Sequence, residues 1–363
     1  MSRVDELLEM KPFQTDVHRK KEIFMEAMKE SLKLHYEKCG LYRKFCQKNG
    51  FDPHGRYTLE QIPFFPVSLF KTVKLISVDE RDIVKSVSSS ATTSGVPSKV
   101  YLDAITAKRQ VKVLSAIMSS FIGTERRTFA VFDSPETVKS SEGKLSSRGT
   151  AIRGMLPFSK KMIFVLDREL NLDRDALKEI ASEEDVCFLG FTFLIYQIME
   201  KYRDDADVAA AMKRVKDPLV LHLGGWKKLQ ELNVNKPAFN KEVARFLNTQ
   251  ETKVKDIYGM VEQLGTIYPD CELGFKHVPV YSEIIIRDPE TLKPAEDGKE
   301  GFIQLLTPLP NSYPGVSVIS DDMGVIVKRD GCGCGRKGKT FIFRSRAQKA
   351  ELKGCGDTLA SGE

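Results

Sequence analysis

The middle of this chain alternates short apolar runs with amphipathic helical stretches, and that alternation leaves few folds open. Residues 128–133 (TFAVFD), 162–166 (MIFVL), 186–189, 219–223 (LVLHL) and 253–257 (KVKDI) have strand length. Helical patterns over 173–182, 190–202 and 236–248 lie between them. Strands that alternate with helices build a mostly parallel sheet covered by helices. Breakers stand where such units need them. Gly190, Gly224-Gly225 and Tyr258-Gly259 each follow a strand, and Pro237 lies near a helix start, where its missing N–H costs nothing.

The flanks read differently. Before residue 50, Val17, Ile23, Phe24, Ala27, Met28, Ser31 and Leu32 recur at helical steps between charges. Gly50 and the Asp52-Pro53-His54-Gly55 cluster end that pattern. Residues 62–70 (IPFFPVSLF) are extended by Pro63 and Pro66 and pack across the body. A Ser/Thr/Gly run over 86–98 precedes a helix over 103–122. Past 270 helices fade, and 278–287, 300–307 and 324–328 read as strands of an antiparallel-rich region, with a turn at 295–298. Residues 352–363 are Gly-rich and polar, which predicts a mobile tail.

Composition narrows the class. Hydrophobic residues make up 41% and the chain has 21 Phe and 10 Tyr, too many for a disordered protein. The longest apolar stretch, 186–199, falls short of the about 20 residues of a spanning helix. No N-terminal apolar segment suggests export, and seven cysteines read as reduced thiols, so the expected location is cytoplasmic. The net charge of +6 comes from 56 basic and 50 acidic residues that are interspersed. A nucleic-acid binder would show a stronger local excess.

Three motifs carry chemistry. In 88–99 (SSSATTSGVPSK), small hydroxyl residues let backbone N–H groups and side-chain donors approach phosphate oxygens, and Lys99 supplies charge. It lacks the Walker A spacing, and a flexible Ser/Thr loop has the same composition. Tyr258-Gly259-Met260-Val261-Glu262 follows a strand; the aromatic can stack on a base, and Glu262 can hold Mg²⁺. Cys271, His277, Cys332 and Cys334 offer four soft-to-borderline ligands of the kind that close a tetrahedral structural Zn²⁺ site. A Gly-rich turn with incidental thiols is the other reading of the Cys-Gly-Cys-Gly segment.

In order along the chain, the hydroxyl loop, Gly224-Gly225, Tyr258 to Glu262, Asp322-Met323-Gly324 and Gly335-Arg336 resemble the adenylate-forming enzymes, which include acyl-CoA synthetases and phenylacetate-CoA ligases. The resemblance covers 85–355. It implies that fold's large domain: mostly parallel sheets covered by helices, plus a β-rich C-terminal part. It also implies ATP and Mg²⁺. Ser89, Ser90, Thr92, Thr93, Gly95 and Lys99 would grip phosphates, Gly224 and Gly225 border adenine, and Tyr258 and Gly259 line the nucleotide. Glu262 would bind Mg²⁺, Asp322 (or Asp321) the ribose, and Arg336 completes the set. Phenylacetate-CoA ligases carry a similar Cys/His arrangement. Ala91 stands where the family usually has Gly, and an extra residue lies on each side of Gly95-Val96-Pro97. The resemblance stops short of the family's mobile C-terminal domain, which this chain is expected to lack.

The shorter acyl-protein synthetases of bacterial luminescence resemble this chain more fully, through Gly190-Phe191-Thr192-Phe193, Gly224-Gly225-Trp226-Lys227 and Cys355. That resemblance implies activation of a fatty acid as acyl-AMP, transfer to Cys355 and delivery to an acyl-CoA-reductase-like partner. Arg344, Arg346, Lys349 and Lys353 upstream of Cys355 would favour its thiolate, and the adjacent glycines give it freedom to swing. Gly190, Phe191 and Phe193 would wall an acyl tunnel, although core packing explains such a helix equally. The implied organisation is an N-terminal helical segment (1–84), an α/β nucleotide- and acyl-binding core (85–269), a β-rich subdomain with the zinc ligands (270–351) and a tail (352–363). Two other readings stay open: a phenylacetate-type CoA ligase lacking its C-terminal domain, and a zinc-stabilised non-catalytic partner of a reductase.

Overall fold

A computed structural model describes residues 2–89, 96–139, 146–224, 226–232 and 234–346. The chain forms two compact units. Unit one takes Met1–Ser120, Gly259–Tyr268 and Phe275–Glu363; unit two takes Phe121–Tyr258 and Pro269–Gly274. Among the described residues no helix is long and apolar enough to cross a membrane.

Unit two holds the parallel sheet that the alternation predicts. Its strands lie in the order Ser159–Phe164, Arg127–Phe132, Val186–Phe191, Leu219–Leu223 and Val254–Tyr258, each parallel to its neighbour. Val186 to Gly190 are all buried, as a strand with both faces covered requires. Helices Arg174–Ile180, Thr192–Lys201, Ala206–Arg214 and Lys236–Phe246 supply the cover. Phe188, Ile195, Val208, Phe239 and Val243 meet in one core. Gly190 is required here: a Cβ would lie 2.8 Å from Phe132 Cβ and 2.9 Å from Ile195 Cγ1, inside van der Waals contact. Helix Ala206–Arg214 leaves no mark in the sequence pattern. It buries only Val208 and Met212, a narrow stripe, and its start is secured by Asp205, whose carboxylate accepts the N–H groups of Asp207 and Val208.

Unit one contains an antiparallel sheet in the order Glu283–Arg287, Gly301–Leu306, Ser317–Lys328, Thr340–Arg346 and Lys276–His277. The Ser317–Lys328 strand begins well before the expected 324, because 317–320 pair with 303–306 territory: Ser317 lies opposite Leu306 and Ile319 opposite Gln304. Only Glu283 to Arg287 of the expected 278–287 strand is regular. The proline-rich segment is extended as Phe65–Pro66, which pair parallel with Val318 and Ile319, and then turns into a short helix, Leu69–Thr72. A hairpin of Ile83–Ser88 and Lys99–Asp103 flanks the hydroxyl loop.

The N-terminal helix Val17–Lys38 buries Phe24, Ala27, Met28, Ser31 and Leu32 of the expected stripe and adds Lys20 and His35, while Val17 is exposed and Ile23 half-buried. Burial alone would raise the Glu283 carboxyl, but Lys20 at 3.6 Å and Lys339 at 2.7 Å hold it at about 2. His35 anchors the other end of the helix. Its Nε2 lies 3.1 Å from the Pro310 carbonyl, which can only accept, so Nε2 carries the proton and Nδ1 accepts from the Ser77 hydroxyl at 2.8 Å.

Burial lowers the His35 pKa from 6.5 to about 4, against the opposing pull of the Pro310 carbonyl. The native state therefore refuses a proton that the unfolded chain accepts below pH 6.5. Stability from this group is complete above 6.5 and falls as the pH drops towards 4, by on the order of 3 kcal/mol. Urea unfolding at pH 7.5 and pH 4.5 is expected to show a smaller acid loss for His35→Gln than for the parent chain. An equal loss in both would clear His35 as the cause.

Candidate functional site

The hydroxyl loop is closed at its base by two reciprocal hydrogen bonds. Ser89 N–H donates to the Ser98 carbonyl at 2.9 Å, and Ser98 N–H donates to Ser89 Oγ at 2.9 Å. Antiparallel pairing continues from there, with Ser88 opposite Lys99. The described hairpin is thus closed at Ser89 and Ser98. Ser90, Thr92, Thr93 and Gly95 lie outside the described residues, as do Gly225 and Cys355. Lys99 is exposed, its Nζ 5.1 Å from the Tyr101 ring centroid, and Lys74 approaches the same ring at 5.3 Å.

Glu262 also belongs to unit one, in the 3₁₀ turn Val261–Gln263, and is 2% exposed. Four contacts fix the turn. The Tyr313 hydroxyl donates to the Glu262 carbonyl at 3.0 Å. The Gln263 amide donates to the carbonyls of Leu305 at 2.8 Å and Gly315 at 3.2 Å. Gly265, at φ +87°, lies so close to the helix Ala104–Ile122 that a Cβ would come within 2.6 Å of Gln110 Cα. Burial raises the pKa of the Glu262 carboxyl, and the nearby Ser98 hydroxyl and the charge of Lys71 oppose that rise.

Asp321 and Asp322 come from the long Ser317–Lys328 strand, beside the Phe65–Pro66 strand that leads to Lys71. Asp322 pairs in register with Arg346 and accepts from its Nε at 3.0 Å. Asp321 is raised by burial, with Arg346 and Lys71 opposing and Asp322 adding to the rise. Glu262, Asp321 and Asp322 thus all belong to unit one, where Lys71 acts on the carboxyls of Glu262 and Asp321 and Arg346 on those of Asp321 and Asp322. Arg336 turns its guanidinium to the Ser120 carbonyl at 2.9 Å.

The sequence pattern marks neither Lys71 nor the pairing of Arg346 with Asp322. Lys71 follows a proline-rich segment with no phosphate signature. Arg346 was legible only as a charge upstream of Cys355, and the pairing with Asp322 is a matter of strand register.

Unit two places its own expected residues around the core. Gly224 closes the Leu219–Leu223 strand at φ +57°, and Tyr258 ends the Val254–Tyr258 strand. Phe191 and Phe193 are half-buried against the hydrophobic core, beside the Gly190 contact. His222 Nδ1 and Thr192 Oγ1 are 2.9 Å apart.

Three of the four expected metal ligands belong to unit one. A ring nitrogen of His277 and the thiols of Cys332 and Cys334 lie within 4.8 Å of one another, with Cys334 Sγ 3.2 Å from His277 Nε2. Burial would raise the Cys334 thiol, but the Arg336 N–H and guanidinium and the Cys332 thiol outweigh it and lower the pKa. Two thiols and an imidazole at this spacing fit a borderline-soft tetrahedral ion. Cys271, 2% exposed, lies in the Pro269–Gly274 stretch of unit two.

The family model described as acyl-protein synthetase, LuxE, matches residues 1–362. The chain is 26% identical over 368 residues to the long-chain-fatty-acid–luciferin-component ligase of Aliivibrio fischeri, covering 99% of this chain and 94% of that protein. With the ligase of the same name from Vibrio harveyi the identity is 23%, covering 99% and 93%. Among solved structures, 2-hydroxyisobutyryl-CoA ligase in an open conformation with 2-HIB-AMP and CoA matches with a TM-score of 0.71 and 14% identity, over 92% of this chain and 76% of that one. The same ligase in its postadenylation state gives 0.71 and 13%, over 92% and 69%. Likeness at such identity is likeness of fold, and the fold is that of the adenylate-forming ligases.

Proposed function

This chain belongs to the acyl-protein synthetase, LuxE, family and is an acid-activating ligase, and from that premise we propose that it joins a long-chain fatty acid to its own Cys355 through an acyl-adenylate. The acid's carboxylate oxygen attacks the α-phosphorus of ATP and expels pyrophosphate. The Cys355 thiolate then attacks the acyl carbon and expels AMP, leaving a thioester for an acyl-CoA-reductase-like partner. Splitting one hard acyl transfer into two easier ones is the advantage of a nucleophilic thiol.

The observation that carries this reading is the Glu262 carboxylate, 2% exposed, on a turn of unit one whose backbone Tyr313 and Gln263 fix. A carboxylate at 2% exposure is costly to keep charged without a cation. Magnesium bound with the nucleotide would neutralise Glu262 and screen the phosphates. Lys99, with Ser89, Ser90, Thr92, Thr93 and Gly95, would receive the phosphates, Asp322 the ribose, and Gly224, Gly225, Tyr258, Gly259 and Arg336 the rest of the nucleotide. Gly190, Phe191 and Phe193 would face the acyl chain. Cys271 would join His277, Cys332 and Cys334 in holding a structural zinc, which supplies folding energy rather than chemistry.

Glu262→Gln keeps the shape of the side chain and removes the charge. Acid-dependent ATP–pyrophosphate exchange is expected to drop by on the order of 100-fold with the thermal unfolding midpoint retained. Cys355→Ser is expected to keep that exchange and to lose the labelled acyl-protein that neutral hydroxylamine releases, since a hydroxyl is a far weaker acid than a thiol. Label on another cysteine, or CoA-dependent AMP release without self-acylation, would replace this reading with that of a CoA ligase. Elemental analysis of protein purified without chelator is expected to find about one Zn²⁺ per chain, lost together with stability in His277→Ala. Metal-free protein of full stability would remove the zinc.

A further inference from the structure

We propose that His222 is a positioning residue for acid binding: through its hydrogen bond to Thr192 it fixes the first turn of helix Thr192–Lys201, and with it Phe191 and Phe193 on either side of Thr192. The inference rests on the reading of Phe191 and Phe193 as acyl-facing and adds to it the group that holds them in place.

His222 stands in a row of four residues across the parallel sheet of unit two. Phe132 is in register with Gly190, Gly190 with His222, and His222 with Asp256. The row lies near the carboxyl ends of the strands, where open parallel sheets receive ligands. His222 and Thr192 are fully buried and Asp256 is nearly so. Polar groups in such a place are costly unless they bond one another. His222 Nδ1 is 2.9 Å from Thr192 Oγ1, and Asp256 Oδ1 is 3.8 Å from the same nitrogen. The carboxylate favours the proton on Nδ1, so the imidazole donates to the Thr192 hydroxyl. The Trp226 and Phe239 rings pack against the imidazole, with centroids 5.7 and 4.9 Å from its own, and fix its plane.

The first turn of the helix depends on this bond. Phe191 occupies the cap position and has no side-chain oxygen to offer the helix N–H groups. Gly190 lets the turn close on the sheet, since a Cβ there would lie 2.9 Å from Ile195 Cγ1. Thr192, the first residue of the helix, then ties the turn to the neighbouring strand through His222. Phe191 is in register with Leu223, and its ring comes within 3.6 Å of the place a Cβ on Gly224 would take. A shift of Thr192 therefore moves the rings on both sides of it. Gly224 keeps its place, because it follows directly on the strand that carries His222. Loss of the bond is thus a change on the acyl side of unit two.

The test is equilibrium dialysis of labelled dodecanoate and, separately, of labelled ATP against the full chain, joined to KM values from acid-dependent pyrophosphate exchange. Thr192→Val keeps the shape of the side chain and removes the hydroxyl; His222→Phe keeps a ring against Trp226 and Phe239 and removes the donor. Each is expected to weaken dodecanoate binding and raise its KM by up to about tenfold, the net worth of one hydrogen bond. ATP affinity and the KM for ATP should stay at the parent values. Thr192→Ser, which keeps the hydroxyl, should hold dodecanoate as the parent does. The two removals combined should weaken dodecanoate no more than the worse of them alone, which keeps the idea testable if Ser packs poorly. Unchanged dodecanoate binding in Thr192→Val, equal weakening of dodecanoate and ATP, or additive losses in the double variant would overturn the role of His222 while leaving adenylation intact. Unchanged dodecanoate binding in both Phe191→Ala and Phe193→Ala would remove the acyl-facing reading, and this inference with it.

Discussion

A carboxylate buried to 2% exposure is the constraint on which unit one is organised. Glu262 cannot keep its charge in an apolar interior without hydrogen bonds or a cation. The surrounding chain is arranged around that need. Tyr313 and Gln263 pin the turn's backbone, and Gly265 and Gly315 let it press against Gln110 and Tyr313 where any side chain would collide. Segments far apart in sequence are thereby held together: the helix that carries Gln110, the turn at Glu262 and the segment that carries Tyr313 and Gly315.

Unit one also spends buried charge on its own cohesion. Glu283 is held between Lys20 and Lys339, which joins the N-terminal helix to the antiparallel sheet. Arg287, 4% exposed, gives its guanidinium to Gln304 and to the carbonyls of Leu292 and Glu60. Removing one partner of such a set leaves a stranded charge, which costs more than the intact set contributes. Unit two follows a different logic. Its four inner strands are buried on both faces, its helices cover them, and Gly190 lets the first turn of Thr192–Lys201 approach the central strand. That architecture needs continuous apolar runs more than ion pairs.

The parallel sheet was legible because its signal is local. A strand buried on both faces must be apolar throughout, so LVLHL and VCFLGF announce themselves without reference to any partner. The stripe of helix Val17–Lys38 was legible for the same reason. Helix Ala206–Arg214 was not, because two buried residues in nine make too narrow a stripe to separate from a polar loop. The strand start at Ser317 was hidden as well: residues 317–323 (SVISDDM) carry two aspartates, and only pairing with Gly301–Leu306 makes them strand.

For the site, the residue types that chemistry demands were readable: the hydroxyl loop, the carboxylate after Tyr258-Gly259, and the Cys/His set. These are requirements of charge, donor type and small size, and a sequence states them directly. What the sequence by itself determined is therefore the architecture of unit two and the inventory of reactive groups. Which groups meet was decided only by tertiary structure. Asp322 is matched to Arg346 because strand register brings them together. Hydrogen bonds between residues this distant in the chain leave no periodic trace, since the energy that selects them exists only once the strands have paired.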